Sequence, residues 1–180
     1  MKKNFLICAV FGFALLISGS SFAGNLGVID MTKISEKAKV MKSLNGQKDK
    51  LLKNIQTTVD SKRKDFEKRE AELKAKSSML SEDAKKDFMN EVANFQRDVM
   101  EYDKTTATKV NDIEKAYMEA LAKIQKDYLD VVVKKIGKEK GLDLVFNSQT
   151  TIIINKDLDI TDTVISELDK QVSEIELKVK

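Results

Sequence analysis

From Ser35 to about Ser78 the apolar residues recur with a helical period. Leu52, Val59, Phe66, Leu73 and Leu80 fall seven apart, while the partner positions three or four residues on turn polar after Ile55. This is half of a coiled-coil seam. Ser81, followed by Glu82 and Asp83, has the hydroxyl and the early acids of a helix start. A second helix is predicted from there to about Lys138. Its apolar positions step from Phe88 through Val92, Phe95, Val99 and Tyr102 to Thr106 and Val110, then to Ile113, Tyr117, Leu121, Ile124 and Tyr128. The two successive steps of four at Thr106 and Val110 form a stutter, where a supercoil locally unwinds. The pattern predicts an antiparallel hairpin bent near "KSSMLSED", residues 76 to 83. The alternative is one continuous helix in a parallel coiled coil. Helices of about 44 and 57 residues would extend roughly 65 and 85 Å, far beyond a compact domain.

The β-like residues sit at the two ends. "LGVIDM" at residues 26–31 and two runs within "GLDLVFNSQTTIIINKDLDIT", residues 142–147 and 150–155, are β-branched and aromatic. A hairpin arm brings these ends together. After them comes an amphipathic closing helix that Thr161 or Asp159 can cap, with Val164, Leu168, Val172 and Ile175 on its apolar face. The predicted body, residues 24–34 and 141–180, is small for an independent core. Its strands are apolar on both faces, as in Leu144–Val145 and Ile152–Ile153, and three short strands leave two open edges. Pairing between chains would close that sheet. The expected fold is therefore mainly α with a small β body: a helical hairpin, residues 35–140 with its bend near 77–82, on an oligomerising β-barrel domain.

Residues 1–23 change the composition. "MKK", a short apolar run and "SFA" ending at Ala23 read as an export signal cleaved from the mature chain. An N-terminal membrane anchor is the alternative, but the run is shorter than the ~20 residues of a span. Removing the segment leaves 30 Lys and Arg against 29 Asp and Glu, and removes Cys8, the only cysteine. The chain also has no histidine. Without His or Cys the commonest general bases, nucleophiles and soft metal ligands are missing. No catalytic residue, metal site or cofactor is predicted, and no enzymatic role is expected.

Three stretches carry a family resemblance: "LGVIDMTKI" opening the mature chain, "MLSEDAKKDFMNEVANFQRDV" around the bend, and "EKGLDLVFNSQTTIIINKDLDITDTVISELDK" near the end. With the export signal, they make the chain resemble the Skp (OmpH-like) periplasmic chaperones over essentially its whole mature length. The last stretch is the most specific. The resemblance implies a periplasmic homotrimer in which three chains share a β-barrel body and three hairpin arms hang as tentacles around a cavity. In that cavity, unfolded outer-membrane proteins are held without ATP and kept from aggregating. It also brings in membrane or lipopolysaccharide proximity, for which this chain has no distinct motif. The family has no catalytic residues to carry over, and its client contacts are diffuse.

Charge and apolar placement nominate the surfaces for such a role. Residues 33–140 carry 26 basic against 20 acidic residues, while residues 24–32 and 141–180 carry 4 against 9. The arm is basic and the body acidic. Client contact is expected at Phe66, Leu73, Met79, Leu80, Phe88 and Met89, where thinning apolar residues and adaptable thioethers suit varied shapes. Capture of acidic unfolded chains is expected at Lys37, Lys39, Lys42, Lys48, Lys50 and Lys53, where plain solvation of the helix is the other reading. Val28, Ile29, Leu144, Val145, Phe146, Ile152, Ile153 and Ile154 are expected to build the trimer body. Two rivals stand beside the chaperone. A structural coiled-coil spacer or adaptor of the cell envelope would want a fuller seam and no bend. A nucleic-acid binder is disfavoured by export, by a mature charge near zero and by the lack of a recognition motif, so no nucleic-acid partner is predicted.

Overall fold

The computed structural model describes residues 24–78, 81, 84–150 and 155–179. The predicted export signal, residues 1–23, and part of the bend lie outside the described residues. The fold is mainly helical, with long helices and a small sheet. Strand β1, Leu26–Ile29, runs into Asp30, whose carboxylate accepts the Lys33 N–H at 3.0 Å and so caps helix α1, Met31–Lys37. The helix thus begins earlier than Ser35. It then breaks at Ala38, whose backbone is extended (φ −62, ψ 135), before α2, Lys39–Ser77. The break has a packing reason. In one straight helix Ile34 and Val40 would point about 120° apart; with the kink, Ile34, Ala38, Val40, Met41 and Leu44 all enter the core. Alanine cannot cap α2, and Asp169 does so instead, accepting the Lys39 N–H at 2.7 Å.

Helices α2 and α3, Lys85–Ile124, form the antiparallel hairpin. Its register is pinned by Lys48 with Glu114 at 2.9 Å, by the Tyr117 hydroxyl donating to Asn45 Oδ1 at 2.7 Å, and near the tip by Lys76 with Glu91 at 2.5 Å. The single continuous helix is not formed. The second helix starts a few residues after Ser81, whose carbonyl accepts the Ala84 N–H at 3.1 Å.

Helix α3 runs unbroken through Thr106 and Val110, and the half-buried Phe95, Val99, Tyr102, Thr106 and Val110 lead to the buried Ile113 in the steps of the predicted stutter, which shifts the seam without breaking the helix. The helix itself becomes irregular only at a π-turn over Gln125–Leu129. Buried positions step by four from Ala116 to Ala120 to Ile124, then by five to Leu129, then on to Val132 and Ile136. The extra residue keeps the apolar line facing the core, so that Leu129 is buried where the periodicity had pointed to the half-buried Tyr128.

Helix α4, Asp130–Lys140, ends at Gly141 with left-handed backbone (φ 62, ψ 35). The Leu142 and Gly141 N–H groups return to the carbonyls of Gly137 and Lys138, a glycine-terminated close that favours a residue without Cβ. The chain then enters β2, Leu144–Asn147, which lies parallel to β1 in the register Leu26↔Leu144 through Ile29↔Asn147. Gly27 permits this approach, since a Cβ there would stand 2.8 Å from Leu142 Cδ1. Asp159 bridges to Val28 on the other side of β1. Among the described residues the sheet has two strands and is open. Of the predicted third strand, residues 151–154 lie outside the described residues, while Thr150 ends one 3₁₀ turn and Asn155, extended, caps the next.

Helix α5, Thr161–Gln171, closes the body. The fully buried Thr161 receives the Asp30 N–H on its hydroxyl at 2.9 Å, and Asp159 accepts the Thr161 N–H at 2.8 Å; the cap position itself falls to Ile160, between the two predicted caps, and has no side-chain cap. Val164 and Leu168 pack with α1, with the bases of α2 and α3, and with α4 in one core. That core is larger than the sheet and closing helix alone, because Val40, Leu44, Ala116 and Ala120 come from the arm. Beyond α5 the chain leaves extended at Val172 and lies against α2. There the Gln47 amide donates to the Ile175 carbonyl and its oxygen accepts the Leu177 N–H, each at 2.9 Å. Leu177 is buried and Ile175 packs against the core.

A carboxylate links α5 to α4. Glu167 accepts from Lys170 and from Lys135, the latter at 2.9 Å, and these two ammonium groups lower its pKa from 4.5 to about 2. A carboxyl whose folded pKa is depressed stabilises the fold fully above its unfolded pKa and loses that contribution as pH falls through the folded one. The urea midpoint of the protein is therefore expected to decline between about pH 4.5 and 2. In Glu167→Gln that decline should be shallower, as measured by urea titrations across the interval.

Candidate functional site: the arm groove

The distal half of the arm is lined by apolar side chains that the seam does not fully cover. After Ile55 the α2 stripe supplies about one apolar residue per seven, whereas α3 keeps a fuller one. The mismatch leaves an open groove of about 930 Å³ between the helices, with Val59, Phe66 and Leu73 on one wall and Phe88, Phe95 and Tyr102 on the other. Phe66 meets Phe95 and Tyr102 edge-on, with ring centroids 5.8 and 5.7 Å away, an arrangement that suits the quadrupoles of the rings. Cations stand over these rings: Lys62 Nζ is 5.0 Å from the Phe66 centroid and the Arg69 guanidinium 6.0 Å from that of Phe95. An apolar trough beside cations can take apolar side chains of another chain and attract its acidic groups.

The sequence-nominated residues separate in the structure. Phe66, Leu73 and Phe88 line the groove. Met89 is 69% exposed and is not among the lining residues. Met79 and Leu80 lie outside the described residues. Phe95 and Tyr102 were legible as seam positions but not as groove walls; the signal that would have found them is the one-sided stripe of α2, which leaves their partner positions empty.

The lysines lie on the body side of the groove. Lys37, Lys39, Lys42, Lys50 and Lys53 are exposed, with no carboxylate in ion-pair contact among the described residues. Lys48 is engaged within the hairpin, by Glu114 and 4.4 Å above the Tyr117 ring.

The sheet presents a second apolar surface. In the parallel register Leu26, Val28, Leu144 and Phe146 share one face. Leu26, Leu144 and Phe146 are 38%, 56% and 40% exposed, while Val28 is buried. The opposite face, with Ile29 and Val145, packs against the core. Ile152, Ile153 and Ile154 lie outside the described residues.

A long helical hairpin with an open apolar groove, rooted in a small body with an exposed apolar sheet face, defines an arm-bearing protein. The family model for outer membrane protein (OmpH-like) matches residues 25–168, and the chain belongs to that family. An uncharacterised protein of Aquifex aeolicus (strain VF5) is 27% identical over 174 residues, covering 94% of this chain and 98% of its own. The fold is also that of a crystal structure from Caulobacter crescentus CB15, provisionally assigned as an OmpH-like outer membrane chaperone. It matches with a TM-score of 0.75 at 14% identity, over 96% of this chain and 95% of the other.

Proposed function

We propose that the mature chain is an ATP-independent periplasmic holdase that binds unfolded outer-membrane proteins between helical arms and keeps them from aggregating. The observation that carries this reading is the open apolar groove on the distal arm. A spacer or adaptor has no use for such a groove and would gain stability by closing it. Family membership and the Skp-like resemblance agree with the role. The export signal at residues 1–23 would deliver the chain to the periplasm, and the body, residues 24–34 and 141–180, would assemble three chains through the uncovered face of Leu144 and Phe146. The exposed lysines at the arm base would speed capture of acidic clients by long-range attraction, an effect that salt screens.

The test is dilution of a urea-unfolded outer-membrane barrel protein into the mature chain. The expected result is a clear solution where the barrel alone turns turbid, with capture slowing as salt rises. Unchanged turbidity at excess protein would refute the holdase reading.

A further inference from the structure

The large hydrophobic residues that helices α2 and α3 expose lie in one line. Among the described residues of α2 and α3 they are Met89, Met100 and Met118, at 69%, 71% and 61% exposure, and all three belong to α3. They stand 11 and 18 residues apart, about three and five whole turns, so their side chains point within about 20° of one another and sit roughly 16 and 27 Å apart along the helix. Single exposed apolar residues are ordinary on any surface. Three on one line, all of the most adaptable apolar type, in a chain that is 34% charged, are not explained that way.

The neighbours sharpen the pattern. Ala93, Ala107 and Asn111 fall within about 30° of the same line, so no charge interrupts it from Met89 to Met118. On one flank Lys86, Arg97, Lys104 and Lys115 form a row that follows it along the helix, and all four are exposed. The line is also continuous with the groove, since Met100 lines both.

We infer that this methionine line with its cationic row is a contact track for extended segments of unfolded polypeptide that carry apolar side chains beside acidic ones. The inference rests on the holdase reading and adds the side of the arm that faces the client and the chemistry of the segment it prefers. Unbranched thioethers adapt to side chains of different shape, and the cations complement acidic neighbours. The wide spacing argues against arm-to-arm pairing, which needs a contiguous buried face with apolar residues at every turn. Separate anchors give several weak contacts along an extended chain, enough to hold it and still release it.

The experiment uses the full mature chain and an acidic, urea-unfolded barrel protein. A photocrosslinking amino acid is placed at Met89, Met100 or Met118 in turn, and at Glu101 or Glu119 as exposed controls on another face of α3. Expected are client crosslinks at the three methionine positions and few at the controls. The triple variant Met89→Gln, Met100→Gln, Met118→Gln should lose about tenfold in client affinity, while the corresponding triple Leu variant stays within about threefold, consistent with many contacts each below a hot spot. Equal crosslinking at the controls, or wild-type affinity in the Gln variant, would overturn the track and leave the holdase reading standing. Crosslinks between arms in the absence of client, or crosslinks to anionic phospholipid vesicles that client does not displace, would also overturn it. Failure of the wild-type chain to hold the client at all would instead remove the reading on which the track rests.

Discussion

Replacing Leu168 with alanine is expected to cost the body about 2–5 kcal/mol, the range for emptying a well-packed leucine site. Leu168 is fully buried on α5, which packs on α1 and α4, and it belongs to one buried cluster that draws on several elements: Leu44 from α2, Ile124 from α3, Val132 and Ile136 from α4. Such a site cannot collapse by moving one loop. Since a domain holds only about 5–15 kcal/mol in total, the variant should lose a large share of its stability in urea titrations. A comparable truncation of the half-buried Val59 in the distal arm should cost far less. Equal costs at the two positions would mean that the arm, and not this cluster, carries the cooperative core.

Converting both Leu144 and Phe146 to aspartate is expected to dissociate the assembly while leaving the single chain folded. Both side chains are substantially exposed in the single chain, so charge there costs little unless another chain covers them. In a shared barrel the same charges would be buried without partners, at a cost of several kcal/mol for each. Sedimentation should then report a folded single chain with helical content unchanged. A trimer that tolerates both charges would show that the chains meet elsewhere.

The arm was legible because helical periodicity and the scarcity of turn signals survive over many residues. The seven-residue run of Leu52, Val59, Phe66 and Leu73 gave α2, its partner steps gave α3, and the thin seam pointed to weak closure of the tip. Two local features were not legible. The break at Ala38 depends on which side chains the closing helix admits, and its cap comes from Asp169, 130 residues away. The π-turn replaces Tyr128 by Leu129 in the buried line, a one-residue choice that only the packing of Val132 and Ile136 decides. At the site, residue type nominated Phe66, Leu73 and Phe88, which line the groove, and the adaptable thioether of Met89, which does not. On a helix, a neighbour in sequence points about 100° away, and Met89 proves to share its direction with Met100 and Met118. The body was expected to be the strands with the closing helix, whereas most of the core is helix on helix with the arm's base taking part, and Leu26, Leu144 and Phe146 on the sheet's outer face stay exposed in the single chain.

The most direct measurement is the mass of the complex formed when an unfolded outer-membrane barrel protein meets the mature chain, determined by analytical ultracentrifugation across a range of mixing ratios. Arms that enclose a client between three chains predict one species, with one barrel protein to three chains at every ratio. A mass that grows continuously with client, a one-to-one complex, or no soluble complex would contradict it.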